Sequence, residues 1–135
     1  MNIALIGYGK MGQMIERAAL DRGHSIVARI TSNRWDMDGL LDADICLEFT
    51  RPECVLENIE KIAALKKDVV IGTTGWHDSM ESIRSVVQEH QIGALYSPNF
   101  SIGVNLLLEI LAHASKAIAP FEEYDVAGID LHHNS

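Results

Sequence analysis

The chain has 135 residues, 47% apolar and 22% charged, enough for one domain with a proper core. Its formal charge of -8 argues against a nucleic-acid partner, because a phosphate backbone requires clustered Lys and Arg. Cys46 and Cys54 lack metal-ligand spacing, so they read as two reduced thiols in a cytosolic protein with no metal. With no basic leader before the first strand, and with Val104–Leu111 interrupted by Asn105 and Glu109, no membrane partner is expected.

Asn2–Ile6 reads as a short buried strand. Gly7, Gly9 and Gly12 follow in G-x-G-x-x-G spacing, at the end of a strand and the start of a helix. Glycine in the first place allows the tight turn, in the second lets backbone approach a pyrophosphate, and in the third lets helix pack closely on strand. The helix N-terminus adds unpaired N–H groups and a positive dipole end. That helix runs from about Lys10 to Arg22, with Met11, Met14, Ile15, Ala18 and Ala19 as its buried face and Gly23 as a left-handed cap. Ile26–Ile30 is the second strand and completes one βαβ unit.

Thr31–Leu41 is polar, lacks periodicity and reads as a loop. Ala43–Phe49 is the third strand. Thr50-Arg51-Pro52-Glu53 starts a helix that continues to about Lys66, with Val55, Leu56, Ile59, Ile62 and Ala63 on one face. Asp68–Ile71 is apolar enough for a central parallel strand, and Gly72-Thr73-Thr74-Gly75 is the turn beyond it. A helix over Ser79–His90 and a fifth strand over Gly93–Tyr96 follow, then the polar turn Ser97–Ser101. Gly103 to about Ala119 is a strongly apolar helix that Pro120 stops. Glu123–His132 reads as a strand whose nonpolar positions are Tyr124, Val126, Ile129 and Leu131.

This alternation predicts an α/β fold, a Rossmann-like doubly wound parallel sheet with helices on both faces. In such sheets ligands lie beyond the carboxyl ends of the strands. The loops there, Gly7–Gly12, Thr31–Arg34, Glu48–Pro52 with Gly72–Gly75, and Ser97–Ser101, are polar or glycine-rich and suit one dinucleotide groove. An NAD-preferring fold places Asp or Glu after the second strand to hold the ribose hydroxyls. Here no carboxylate follows that strand until Asp36, and Arg29 or Arg34 with Thr31 and Ser32 suits a 2′-phosphate. The reading leans to NADPH, or to use of either NADPH or NADH. His24, His77, His90 and His113 are isolated. His132-His133, with Asp130 two residues before, is a candidate proton donor and anion-binding group.

The motifs Gly7–Gly12, Glu48-Phe49-Thr50-Arg51-Pro52, Gly72–Gly75, Ser97-Pro98-Asn99-Phe100-Ser101-Ile102-Gly103-Val104-Asn105 and Asp130-Leu131-His132-His133-Asn134 together resemble the N-terminal part of the 4-hydroxy-tetrahydrodipicolinate reductase (dihydrodipicolinate reductase) family. The resemblance covers nearly the whole chain. It implies reduction of 4-hydroxy-tetrahydrodipicolinate to tetrahydrodipicolinate with NADPH or NADH, in lysine and diaminopimelate biosynthesis in the cytoplasm. It implies a dinucleotide-binding domain over residues 1–119, and over 120–135 the start of a truncated mixed α+β substrate and tetramerisation domain. It implies cofactor contacts at Gly7, Gly9, Lys10, Met11, Gly72, Thr73, Thr74, Ser97, Pro98, Asn99 and Phe100. By the same resemblance His132 is the catalytic histidine, His133 contacts a carboxylate of the small-molecule dicarboxylate substrate, and the full-length protein is a homotetramer. The family's catalytic lysine and Pro-Ser-Gly-Thr segment fall beyond Ser135, and Asp130 stands where the family usually has Glu. The residues alone leave open a non-catalytic NAD(P)-binding module or another two-domain NAD(P) dehydrogenase.

Overall fold

The computed structural model describes residues 1–31 and 35–129. They form two compact units, Met1–Pro98 and a second from Asn99 onward. In the first, β1 (Asn2–Ile6), β2 (Ser25–Ile30), β3 (Ile45–Glu48), β4 (Asp68–Ile71) and β5 (Ala94–Tyr96) make one five-stranded sheet in the order β2-β1-β3-β4-β5. Every pairing is parallel. The winding therefore reverses between β1 and β3, and the switch point lies at their carboxyl ends. The α/β doubly wound architecture is the one read from the sequence.

Alternate residues of β1 divide between two cores, as strand geometry requires. Ala4 and Ile6 face α2 (Met37–Leu41), α3 (Val55–Ala64) and α4 (Met80–His90) in a cluster that includes Leu40, Ile59, Ile62 and Ile83. Ile3 and Leu5 face α1 (Lys10–Asp21) through Ala19, with Tyr8 and Ile15 packed alongside. Met11 and Met14, expected on the buried face of α1, are exposed; Ala19 is buried as expected, and Gly12 is buried as well. The first turn of the helix lies so close to the glycine turn that a Cβ at Gly12 would meet backbone, and the two methionines turn outward.

The expected loop Thr31–Leu41 contains a short helix, α2. Asp36 caps it, its carboxylate accepting from the Gly39 N–H at 3.1 Å. Gly23 adopts the left-handed φ of +76° expected of a helix-ending glycine. The helix after β3 begins as one 3-10 turn, Pro52–Cys54, and the one after β4 as another, His77–Ser79.

In the second unit α5 spans Ile102–Ile118. The strand expected over Glu123–His132 is not formed across residues 124–129. A strand exists through its ladder partners, and among the described residues this segment has none. Asp130, Leu131 and His132 lie outside the described residues.

Candidate functional site

The glycine turn is held by close packing on two sides. Gly7 has φ +93°, and its N–H donates to the Ile30 carbonyl at 2.9 Å. A Cβ on Gly7 would lie 2.1 Å from the Phe49 carbonyl oxygen, and one on Gly12 would lie 2.4 Å from the Gly7 carbonyl oxygen. Both positions therefore exclude a side chain within the protein itself. Gly9 is different: among the described residues, a Cβ there would meet no atom within 4 Å. It is the N-cap of α1, no side chain caps that end, and no acidic residue stands in the first turn. The first-turn N–H groups have no intrahelical acceptor, and the helix dipole favours an anion against them. This cradle fits a pyrophosphate.

A cavity of about 730 Å³ opens at the carboxyl ends of β1, β2 and β3. Gly7, Tyr8 and Gly9 form one wall, Thr31 and Trp35 a second, and Thr50, Asn58 and Lys61 a third. The Lys61 ammonium lies 4.6 Å from the Trp35 ring centroid, a cation–π contact, and pairs with Glu57 at 2.6 Å. The volume falls in the range of a small-molecule or cofactor site.

Behind the turn, Tyr8 and Arg29 both donate to Glu16. The Arg29 guanidinium also lies 5.8 Å from the Tyr8 ring centroid. The Arg29 bond, then the Tyr8 bond, holds the Glu16 carboxyl below its ordinary range. The same contact with Glu16 pushes the Tyr8 phenol up. Arg29 thus ties β2 to α1, and it is not among the residues that line the cavity. Arg34 and Ser32 lie outside the described residues.

Under the third wall, Glu48 ends β3 in register between Ile6 and Ile71, fully buried. Its Oε1 accepts from the Thr50 hydroxyl and, at 3.1 Å, from Asn58 Nδ2. The Thr50 N–H donates to Thr73 Oγ1 at 2.7 Å, which joins the β3 loop to Gly72-Thr73. Trp76 is 3% exposed; its Nε1 donates to the Thr73 carbonyl at 2.6 Å, and its ring meets Tyr96 edge-on at 4.6 Å. The β4 loop is thereby clamped from both sides.

Of the expected cofactor residues, Gly7 and Gly9 line the cavity. Lys10 and Met11 stand in the exposed first turn of α1. Thr73 is buried behind Thr50, and Thr74 is exposed. Ser97 and Pro98 close the first unit, its Ser97 N–H reaching the Ile71 carbonyl at 3.4 Å. Asn99 and Phe100 open the second. There the Asn99–Asn105 motif builds a helix cap. Ser101 Oγ accepts from the Val104 N–H, Asn99 Oδ1 from the Ser101 N–H at 2.7 Å, and the Asn105 amide returns to the Asn99 carbonyl at 2.9 Å. His132 and His133 lie outside the described residues. Sequence reasoning missed Trp35, Asn58 and Lys61. The available signals were an aromatic in a polar segment after β2 and a polar residue on the apolar face of α3.

A family model described as "Dihydrodipicolinate reductase, N-terminus" matches residues 1–100. A curated 4-hydroxy-tetrahydrodipicolinate reductase from Christiangramia forsetii is 34% identical over 134 residues, covering 98% of this chain and 56% of the relative. The chain thus spans little more than half the length of that relative. Among solved structures, a dipicolinate-bound dihydrodipicolinate reductase from Paenisporosarcina sp. TG-14 superposes with a TM-score of 0.68 at 21% identity, covering 85% of this chain and 53% of that one. The Bacillus subtilis protein yvaA superposes with a TM-score of 0.63 at 14% identity, covering 85% of this chain and 40% of that one. These two likenesses concern the fold. With the glycine cradle and the motif order, the family match over residues 1–100 decides the matter: the chain belongs to the dihydrodipicolinate reductase family.

Proposed function

We propose that this chain is the nicotinamide-nucleotide-binding part of an NAD(P)H-dependent reductase that converts 4-hydroxy-tetrahydrodipicolinate to tetrahydrodipicolinate in lysine and diaminopimelate biosynthesis. The observation that carries the reading is Gly9. Its missing side chain answers no packing need among the described residues, yet it stands where an anion would approach uncapped helix N–H groups. Membership of the family supports a small-molecule substrate, which we take to be a small dicarboxylate.

Bound in the groove, NADPH or NADH supplies the hydride; the protein supplies position, charge and protons. In this reading Gly7, Gly9 and the first turn of α1 hold the pyrophosphate, with the Lys10 ammonium as its counter-charge. Gly72, Thr73 and Thr74 face the ribose or nicotinamide, and Ser97, Pro98, Asn99 and Phe100 are further cofactor contacts. His132 moves the proton and His133 holds a substrate carboxylate. The dinucleotide-binding domain is residues 1–119, and 120–135 begin the substrate domain. The whole enzyme is a cytoplasmic homotetramer.

The missing carboxylate after β2 supports NADPH at least as well as NADH. Arg51 and Lys61 at the cavity wall offer positive charge. Titration of each nucleotide, followed by dihydronicotinamide fluorescence, is expected to give binding of both, with NADPH no weaker than NADH. Failure of both to bind at millimolar concentration overturns the reading. In the full-length enzyme, His132→Gln is expected to lower kcat far more than it weakens nucleotide binding. Unchanged kcat removes His132 from the mechanism.

A further inference from the structure

We propose that Glu48 is a positioning residue, which sets the cofactor-facing β3 loop from inside the sheet through Thr50 and Asn58. A fully buried carboxyl in a parallel sheet is a costly choice where Ile6 and Ile71 flank it in register. An apolar residue would satisfy the core. Oε1 instead takes two donors, the Thr50 hydroxyl and the Asn58 amide. Oε2 has no hydrogen-bond partner among the described residues.

Glu48 itself does not reach the cavity, but both of its donors line it. The Thr50 hydroxyl gives its proton to Glu48 and accepts from Asn58 Nδ2 at 3.2 Å. Its backbone N–H is spent on Thr73 Oγ1. With hydroxyl and N–H both fixed, the Phe49–Thr50 main chain has one position. That position is the one against which Gly7 packs. A single buried carboxyl therefore holds the glycine turn, the β3 loop and the β4 loop in mutual register. Oε1, the Thr50 hydroxyl and N–H, and the Asn58 amide are each paired, and such bonds are stronger in a low-dielectric interior than in water.

The binding arm of the test rests on the cofactor reading above; the exchange arm does not. Glu48→Leu, Glu48→Gln and Thr50→Val are made in the full chain. Melting temperature, amide hydrogen exchange without nucleotide, and Kd for NADPH are measured. Glu48→Leu is expected to melt no lower than the parent. Its Thr50 amide is expected to exchange at least tenfold faster while the amides of β2 and α4 are unchanged, and its Kd to rise at least tenfold. Glu48→Gln, which keeps an acceptor oxygen, stays within threefold of the parent in both. Thr50→Val reproduces the losses of Glu48→Leu, and decides alone if Glu48→Leu does not fold. Parent-like exchange of the amide at position 50 in Glu48→Leu, or in Thr50→Val where that variant decides, overturns the proposal. Parent-like NADPH affinity with altered exchange overturns the link to binding. A parent that binds no nucleotide refutes the cofactor reading, while the exchange result still decides whether Glu48 sets the loop.

Discussion

Gly9 and Gly12 make opposite demands, and a pair of alanine substitutions separates them. A Cβ at Gly12 falls 2.4 Å from the Gly7 carbonyl oxygen, 1.0 Å inside the 3.4 Å at which ordinary contact begins. The obstacle is backbone, so α1 must lift. Overpacking of this kind costs about 3 kcal/mol, and the better helix propensity of alanine returns about 1 kcal/mol. The net loss of about 2 kcal/mol lowers Tm by roughly 8–16 °C for a domain of this size. Gly9 has φ -85° and ψ -156°, extended backbone open to alanine, with empty space around the added methyl. Gly9→Ala therefore leaves stability unchanged or raises it by up to about 1 kcal/mol through the unfolded chain. The methyl group stands in the path of an approaching phosphate, whose N–H···O bonds require about 2.9 Å. The expected result is a Kd for NADPH raised at least tenfold, about 1.4 kcal/mol, at an undiminished Tm. Circular dichroism melts and fluorescence titration read the two quantities independently. A Gly9→Ala chain that binds within threefold of the parent refutes the argument, since backbone and ligand are then not in contact.

Burial holds the Cys46 thiol up at about 12, so alkylation of the native chain is expected to stop at Cys54; labelling of both thiols before unfolding contradicts the burial. Tyr96 buries a hydroxyl that has no partner among the described residues, so Tyr96→Phe is expected to hold or raise Tm, by the equivalent of about 0–1 kcal/mol. The depressed Glu16 carboxyl stabilises the fold fully above its ordinary value of 4.5, and that stabilisation is lost as pH falls through the lower folded value. The Tm gap between parent and Glu16→Gln is therefore constant near neutrality and closes only below pH 4.5; a gap that closes by pH 6 excludes the Arg29 and Tyr8 contacts as its source. Ile59, fully buried between α3 and the sheet, should cost about 2–5 kcal/mol on truncation to alanine, read from denaturant melts.

The strands were legible because parallel strands covered on both faces are short apolar runs, and Asn2–Ile6 and Asp68–Ile71 are such runs. The glycine turn was legible because its spacing is set by backbone geometry. On the inward face of α1 the sequence points correctly to Ala19 and Ile15 and wrongly to Met11 and Met14, because periodicity weighs hydrophobicity whereas the close approach at the glycine turn selects small size, as at Gly12. The helix α2 was hidden in a polar run because one capping carboxylate, Asp36, outweighed weak local propensity. The Glu48 network was invisible because its members come from separate places in the chain, at residues 48, 50, 58 and 73, and only the sheet brings them together. The strand expected after Glu123 shows the reverse limit: alternation is legible in sequence, but its pairing partner is not.

The two tryptophans occupy contrasting surroundings, and this gives the molecule two built-in optical reporters. Trp76 sits in the apolar core beneath the β4 loop, so its emission should be blue-shifted and screened from iodide. Trp35 borders the groove under a lysine ammonium, where a neighbouring dihydronicotinamide nucleotide would accept its excitation energy. Unfolding and ligand entry can thus be followed in one unlabelled sample, each through a different indole.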